Sequence, residues 1–171
     1  AASCFTATGD LDRAAFQSNI DAYVGHGVDG VLVAGSSGES ALLDDEDRRQ
    51  LLTWARARLS DDQWLLAGVG SESTRQTISR AHDAKAAGAN AALVISPHYF
   101  LKRMTEPALL AHFRAVADAS PLPVLLYNMP AYAHLVLSPA FVHEMAQHEN
   151  VIGMKDSAGN IPVFTQYLES Q

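Results

Sequence analysis

Five short, solidly apolar runs recur along the chain, at 28–34 (VDGVLVA), 64–69 (WLLAGV), 91–96 (AALVIS), 123–127 (PVLLY) and 151–155 (VIGMK). Apolar and polar residues do not alternate in them, as expected of strands covered on both faces. Amphipathic stretches fill the intervals, at 10–24, 44–59, 73–87, 105–119 and 138–147 and from 161 onward. Their ends carry helix signals. Acids open the second stretch and arginines follow, which complements the helix dipole. Gly88 closes the third as a left-handed cap. Thr105 is placed to cap the fourth, with Pro107 in its first turn.

One strand and one helix about every 30 residues is the grammar of βα units, which build a parallel sheet with helices outside. Two architectures satisfy it: a closed (β/α)8 barrel and an open doubly wound sheet. Five clear strands do not close a barrel, which takes about 250 residues. By strand count alone the open sheet is favoured.

The balance of 12 Lys and Arg against 19 Asp and Glu gives a formal charge of −7. Broad nucleic-acid binding relies on cations that neutralise phosphates, so this chain is not expected to bind nucleic acid. No apolar run approaches the roughly 20 residues that span a bilayer, so no membrane segment is expected. No signal peptide is visible at Ala1, and the single cysteine, Cys4, suits a reducing compartment, here the cytoplasm.

In parallel α/β proteins the chemistry sits at the C-terminal ends of strands. The first strand runs into Gly35-Ser36-Ser37-Gly38-Glu39, whose hydroxyls and freely oriented N–H groups could cradle a small carboxylate. It is neither a nucleophile elbow nor a P-loop, since the second glycine and the lysine those motifs need are missing. On its own a tight turn explains it as well. Pro97-His98-Tyr99-Phe100 follows the third strand, and Tyr127-Asn128-Met129-Pro130 ends the fourth. The fifth ends in Lys155, followed by Asp156-Ser157. A lysine emerging from an apolar strand either reaches solvent or serves as a partly neutral amine that attacks a ketone. The seven histidines lack zinc-protease spacing, His143 and His148 being five apart, and no metal or other cofactor is expected.

The ordered set GSSGE (35–39), SPHYF (96–100), YNMP (127–130) and VIGMKDSAG (151–159) resembles the dihydrodipicolinate synthase/N-acetylneuraminate lyase superfamily of class I aldolases. Within it, LLAGVGSEST (65–74) and VADASPLPVLLY (116–127) look most like 4-hydroxy-2-oxoglutarate aldolase. The resemblance reverses the strand-count reading. It implies a TIM (β/α)8-barrel family fold over residues 1–171, here a single partial barrel lacking the last two βα units and the C-terminal helices, with residues 1–5 as the tail of the first strand.

The same resemblance assigns roles. Lys155 forms an imine with the keto carbon of pyruvate or a related 2-oxo acid. Tyr127 moves protons, Ser36 links it to a second tyrosine, and Tyr99 is the tyrosine inserted into a neighbouring subunit's site. Ser37 and Gly38 hold the substrate carboxylate, and Ser157 touches its distal part. The implied assembly is a homotetramer, a dimer of dimers. Ser3-Cys4-Phe5 replaces the family's Thr-Pro-Phe, Tyr132 replaces a carboxylate-binding Arg, and Ala133-His134 replaces Thr-Gly. These departures argue against dihydrodipicolinate synthase itself. The expected function is a class I aldolase or lyase on pyruvate-derived 2-oxo acids. The alternatives are a dehydratase or condensing enzyme of the same superfamily, or an inactive remnant or binding module. The chain alone is expected to be inactive or weakly active unless it associates with itself or with a missing piece.

Overall fold

A computed structural model describes residues 1–169. All five strands form one parallel sheet: β1 (Gly30–Val33), β2 (Trp64–Gly68), β3 (Ala91–Ile95), β4 (Val124–Asn128) and β5 (Val151–Asp156). Their spatial order is β1-β2-β3-β4-β5, identical to the chain order. A doubly wound sheet reverses direction at a switch point; a barrel wall does not. Sequential order therefore decides between the two architectures in favour of the barrel wall, with β1 and β5 as its outer strands.

The connecting helices lie where the periodicity predicts, within a few residues: α1 (Arg13–Gly25), α2 (Asp45–Arg56), α3 (Thr74–Ala86), α4 (Glu106–Ala119), then, after the short α5 (Pro130–Ala133), α6 (Pro139–Ala146) and α7 (Ile161–Leu168). Asp44 and Asp47 form a reciprocal capping box at α2, and Gly88, at φ 86°, ends α3 as expected. Thr105 occupies the N-cap of α4 with Pro107 in the first turn, as expected, but makes no side-chain cap bond. The turn α5 was not legible, being one turn long in a Pro-rich loop.

Every β3 residue except Ile95 is buried, as a strand covered on both sides must be. The core between sheet and helices is built from Phe16, Ile20, Leu51, Leu65, Phe113, Leu126 and Phe141. Residues 1–5 do not form a regular strand. Ser3 instead donates from Oγ to the Gly38 carbonyl at 2.7 Å, and Phe5 makes a single antiparallel bridge to Leu11. No helix among the described residues is long and apolar enough to cross a membrane.

Candidate active site at the C-terminal strand ends

The turn after β1 is set by two linked features. Ala34 is buried and takes the left-handed conformation, φ 55°. Such a conformation is uncommon for a residue with a Cβ and persists only where the surroundings enforce it. Its carbonyl lies so close to β2 that a Cβ on Gly68 would sit 2.0 Å from it. The chain thus turns sharply into a single 3-10 turn, Ser36–Gly38. This turn aims the Ser36 side chain across the mouth of the sheet.

Ser36 Oγ meets the Tyr127 hydroxyl at 3.1 Å, joining residues 91 apart in sequence. The Lys155 Nζ lies 4.1 Å from the centroid of the Tyr127 ring. Burial alone would raise the Tyr127 phenol; polar contacts with Ser36, Lys155 and Ser157, and the Lys155 charge, outweigh it and hold the group below its ordinary value. Four of the residues singled out from sequence thus converge: Lys155, Tyr127, Ser36 and Ser157.

The convergence depends on a bulge. β5 pairs with β4 as Val151 opposite Val124, then skips to Gly153 opposite Leu125, ending with Lys155 opposite Tyr127 and Asp156 opposite Asn128. The extra residue is Ile152. In unbroken register Met154 would face Tyr127, and Lys155 would point to the other face. Gly153, at φ 155°, supplies backbone that a side chain would disfavour at the bulge.

The other singled-out residues lie apart from this cluster. Ser37 is exposed on the turn. Gly38 is buried and its N–H donates to the Gly35 carbonyl at 3.0 Å, so that group is already committed within the turn. Tyr99 is 76% exposed and packs edge-on against Phe100 at 4.9 Å. Its loop is clamped by Glu72, whose carboxylate accepts from the His98 and Tyr99 N–H groups, each at 2.9 Å.

Sequence reasoning missed the arginines that pin the mouth. Arg48, 6% exposed, donates to the carbonyls of Gly68, at 3.1 Å, and Ser40. Burial, with the neighbouring Arg80 charge adding, pulls its guanidinium down to about 10. Arg80 pairs with Asp45 at 2.7 Å and donates to the Gly70 carbonyl at 3.1 Å. Their positions on helices that read as surface-facing gave no sequence signal beyond the charge pairing itself. A cavity of about 480 Å³ opens beside them, reaching Ser36, Ser96 and His98. Among the described residues no group of three or more His, Cys, Asp or Glu side chains is placed to hold a metal ion.

The profile of the Dihydrodipicolinate synthetase family matches residues 1–171. A 4-hydroxy-tetrahydrodipicolinate synthase of Stenotrophomonas maltophilia is 42% identical over 159 residues, covering 93% of this chain and 53% of that protein. A probable mitochondrial 4-hydroxy-2-oxoglutarate aldolase of Emericella nidulans is 40% identical over 169 residues, covering 96% and 55%. Among solved structures, YagE of E. coli K12, a prophage protein of the dihydrodipicolinic acid synthase family crystallised with pyruvate, superposes with a TM-score of 0.92 at 34% identity, covering 99% of this chain and 56% of that one. The chain spans about half the length of these relatives. Strand order, the ends of β1, β4 and β5, and these matches agree: the chain belongs to the dihydrodipicolinate synthetase family.

Proposed function

We propose that this chain carries the imine-forming half of a class I aldolase or lyase acting on pyruvate-derived 2-oxo acids. The observation that carries the reading is the placement of Lys155 over Tyr127, with the Tyr127 hydroxyl bonded to Ser36. The Lys155 amine attacks the keto carbon and water leaves. The hydroxyl two carbons beyond the imine carbon then loses its proton, its carbon departs as an aldehyde or keto acid, and the protonated imine accepts the electron pair of the bond that joined that carbon to the one next to the imine. The resulting enamine is protonated and the imine hydrolysed. A phenol held below its ordinary value, with a hydroxyl partner, is suited to passing the protons these steps require. Ser37, with the N–H groups at the start of the 3-10 turn, would orient the carboxylate, and Ser157 would meet the distal part of the substrate. Orientation of this kind can supply a large share of the rate.

The aldolase reading is preferred to a condensing synthase because Tyr132, 59% exposed, stands where the synthase pattern has a carboxylate-binding Arg. Tyr99, exposed beside Phe100, is read as the group offered to a neighbouring subunit in a dimer of dimers. The test is incubation with pyruvate, reduction with borohydride and mapping of the adduct by mass spectrometry. The expected adduct is on Lys155 and is lost in Lys155→Ala. Incorporation spread over surface lysines and unchanged by that substitution would defeat the reading.

A further inference from the structure

A second polar cluster lies on the opposite face of the same two strands. Successive strand residues point to opposite faces, so Asn128 and Asp156 face the helices where Tyr127 and Lys155 face the barrel interior. Asn128 is 1% exposed and fully engaged. Its Oδ1 accepts from the Leu137 N–H at 3.1 Å, and its Nδ2 donates to Asp156 Oδ1 at 2.7 Å and to the Tyr167 hydroxyl at 3.4 Å. The orientation of the amide is chemically forced: Leu137 N–H can only donate and the carboxylate can only accept. Tyr167 donates to the Leu137 carbonyl at 2.6 Å, and burial and the Asp156 charge raise its phenol, which keeps it a donor. The Asn128 carbonyl accepts from Ser157 N–H at 2.9 Å, and Asp156 Oδ2 from Ala158 N–H at 3.2 Å.

Among the described residues β5 pairs with β4, and it reaches its final register through a bulge. The bulge leaves two registers available to the end of β5, and contacts outside the ladder can choose between them. Any contact that holds Asp156 opposite Asn128 also holds Lys155 opposite Tyr127. We infer that Asn128, Asp156 and Tyr167 are positioning residues, which lock the β5 register from behind and so aim the Lys155 amine at its hydroxyl partner. None of the three touches the reacting atoms in this arrangement. The inference rests on the imine reading of Lys155 and extends it to the opposite face of the sheet.

The test exchanges the two groups of the buried pair. In N128D the Leu137 contact is kept, but two carboxylates are opposed. In N128D/D156N the donor and acceptor have traded places and the total charge is restored. The 171-residue chain and both variants are incubated with pyruvate and borohydride over a range of pH, and amide exchange in β5 is followed in parallel. N128D should slow adduct formation at Lys155 by about tenfold or more, shift its pH profile and speed β5 exchange. The double variant should return all three close to the parent. Adduct formation in N128D as fast as in the parent, or a double variant no better than the single, overturns the inference. Faster β5 exchange in N128D that N128D/D156N reverses supports the register lock even where the parent chain forms no adduct, so the lock and the imine reading fail separately.

Discussion

β3 and β5 are both short apolar strands ending at the same mouth, yet they are held in opposite ways. β3 has Ala91, Ala92 and Val94 fully buried, with a neighbour on each edge. β5 has Ile152 51% exposed, one neighbour, and a bulge. β3 is fixed by packing on both faces and by ladders on both edges. β5 is fixed by its ladder with β4, by the polar contacts behind it, and by α6 and α7. The lysine on which the proposed chemistry depends is therefore carried by the strand whose register turns on a bulge. A groove of about 500 Å³ follows β5 between Met154, Val142 and Phe164, so the surface beside it is apolar as well.

This contrast can be broken first in the core. Leu65→Ala on β2, a fully buried position, should cost about 2–5 kcal/mol in urea unfolding. An effect under about 1 kcal/mol would mean that the inner strands are no better packed than the edge.

The next effect is pH-dependent and lies on the helices covering the inner strands. His112 is buried against Phe113, with Nδ1 2.9 Å from Thr74 Oγ1, and burial pulls its imidazole from 6.5 down to about 4. The unfolded chain thus binds a proton that the folded one refuses between those values. Stability is full above pH 6.5 and falls by about 3 kcal/mol as pH drops toward 4. His112→Asn, which keeps an acceptor for Thr74 and does not titrate there, should flatten this slope in denaturation curves measured across the window.

At the mouth, Tyr127→Phe should slow pyruvate adduct formation roughly 100-fold, and Ser36→Ala roughly tenfold, since the serine acts through the phenol. Losses that multiply in the double variant would place the two hydroxyls in separate roles. The smallest effect belongs to the outer strand: Ile152→Ala should change stability by less than about 1 kcal/mol. A larger cost would show that something covers this edge in solution.

Much of this was legible in the sequence. Solid apolar runs marked all five strands; the strand-end rule drew attention to the loops that follow them, and only the family resemblance singled out Ser36, Tyr127 and Lys155. Register between strands was not legible. Whether Met154 or Lys155 faces Tyr127 depends on one unpaired residue at the bulge, and nothing within β5 considered alone reveals its partner's phase. The left-handed turn at Ala34 was also hidden, because alanine gives no turn signal and the constraint comes from Gly68 on another strand. Asn128 was visible within YNMP, but its role emerges only once its neighbour Tyr127 is known to face inward. Tyr99 was legible as an aromatic at a strand end, although its packing against Phe100 was not.

The coincidence of spatial and chain order in the sheet also bears on how the molecule assembles. Each strand docks on the one made just before it, so every sheet contact closes a loop of a single βα unit. Such a wall can grow in one direction as the polypeptide is synthesised, with no early strand waiting for a distant partner. Tyr127 and Lys155 then meet only when β5 docks on β4, after β1 to β4 have been made.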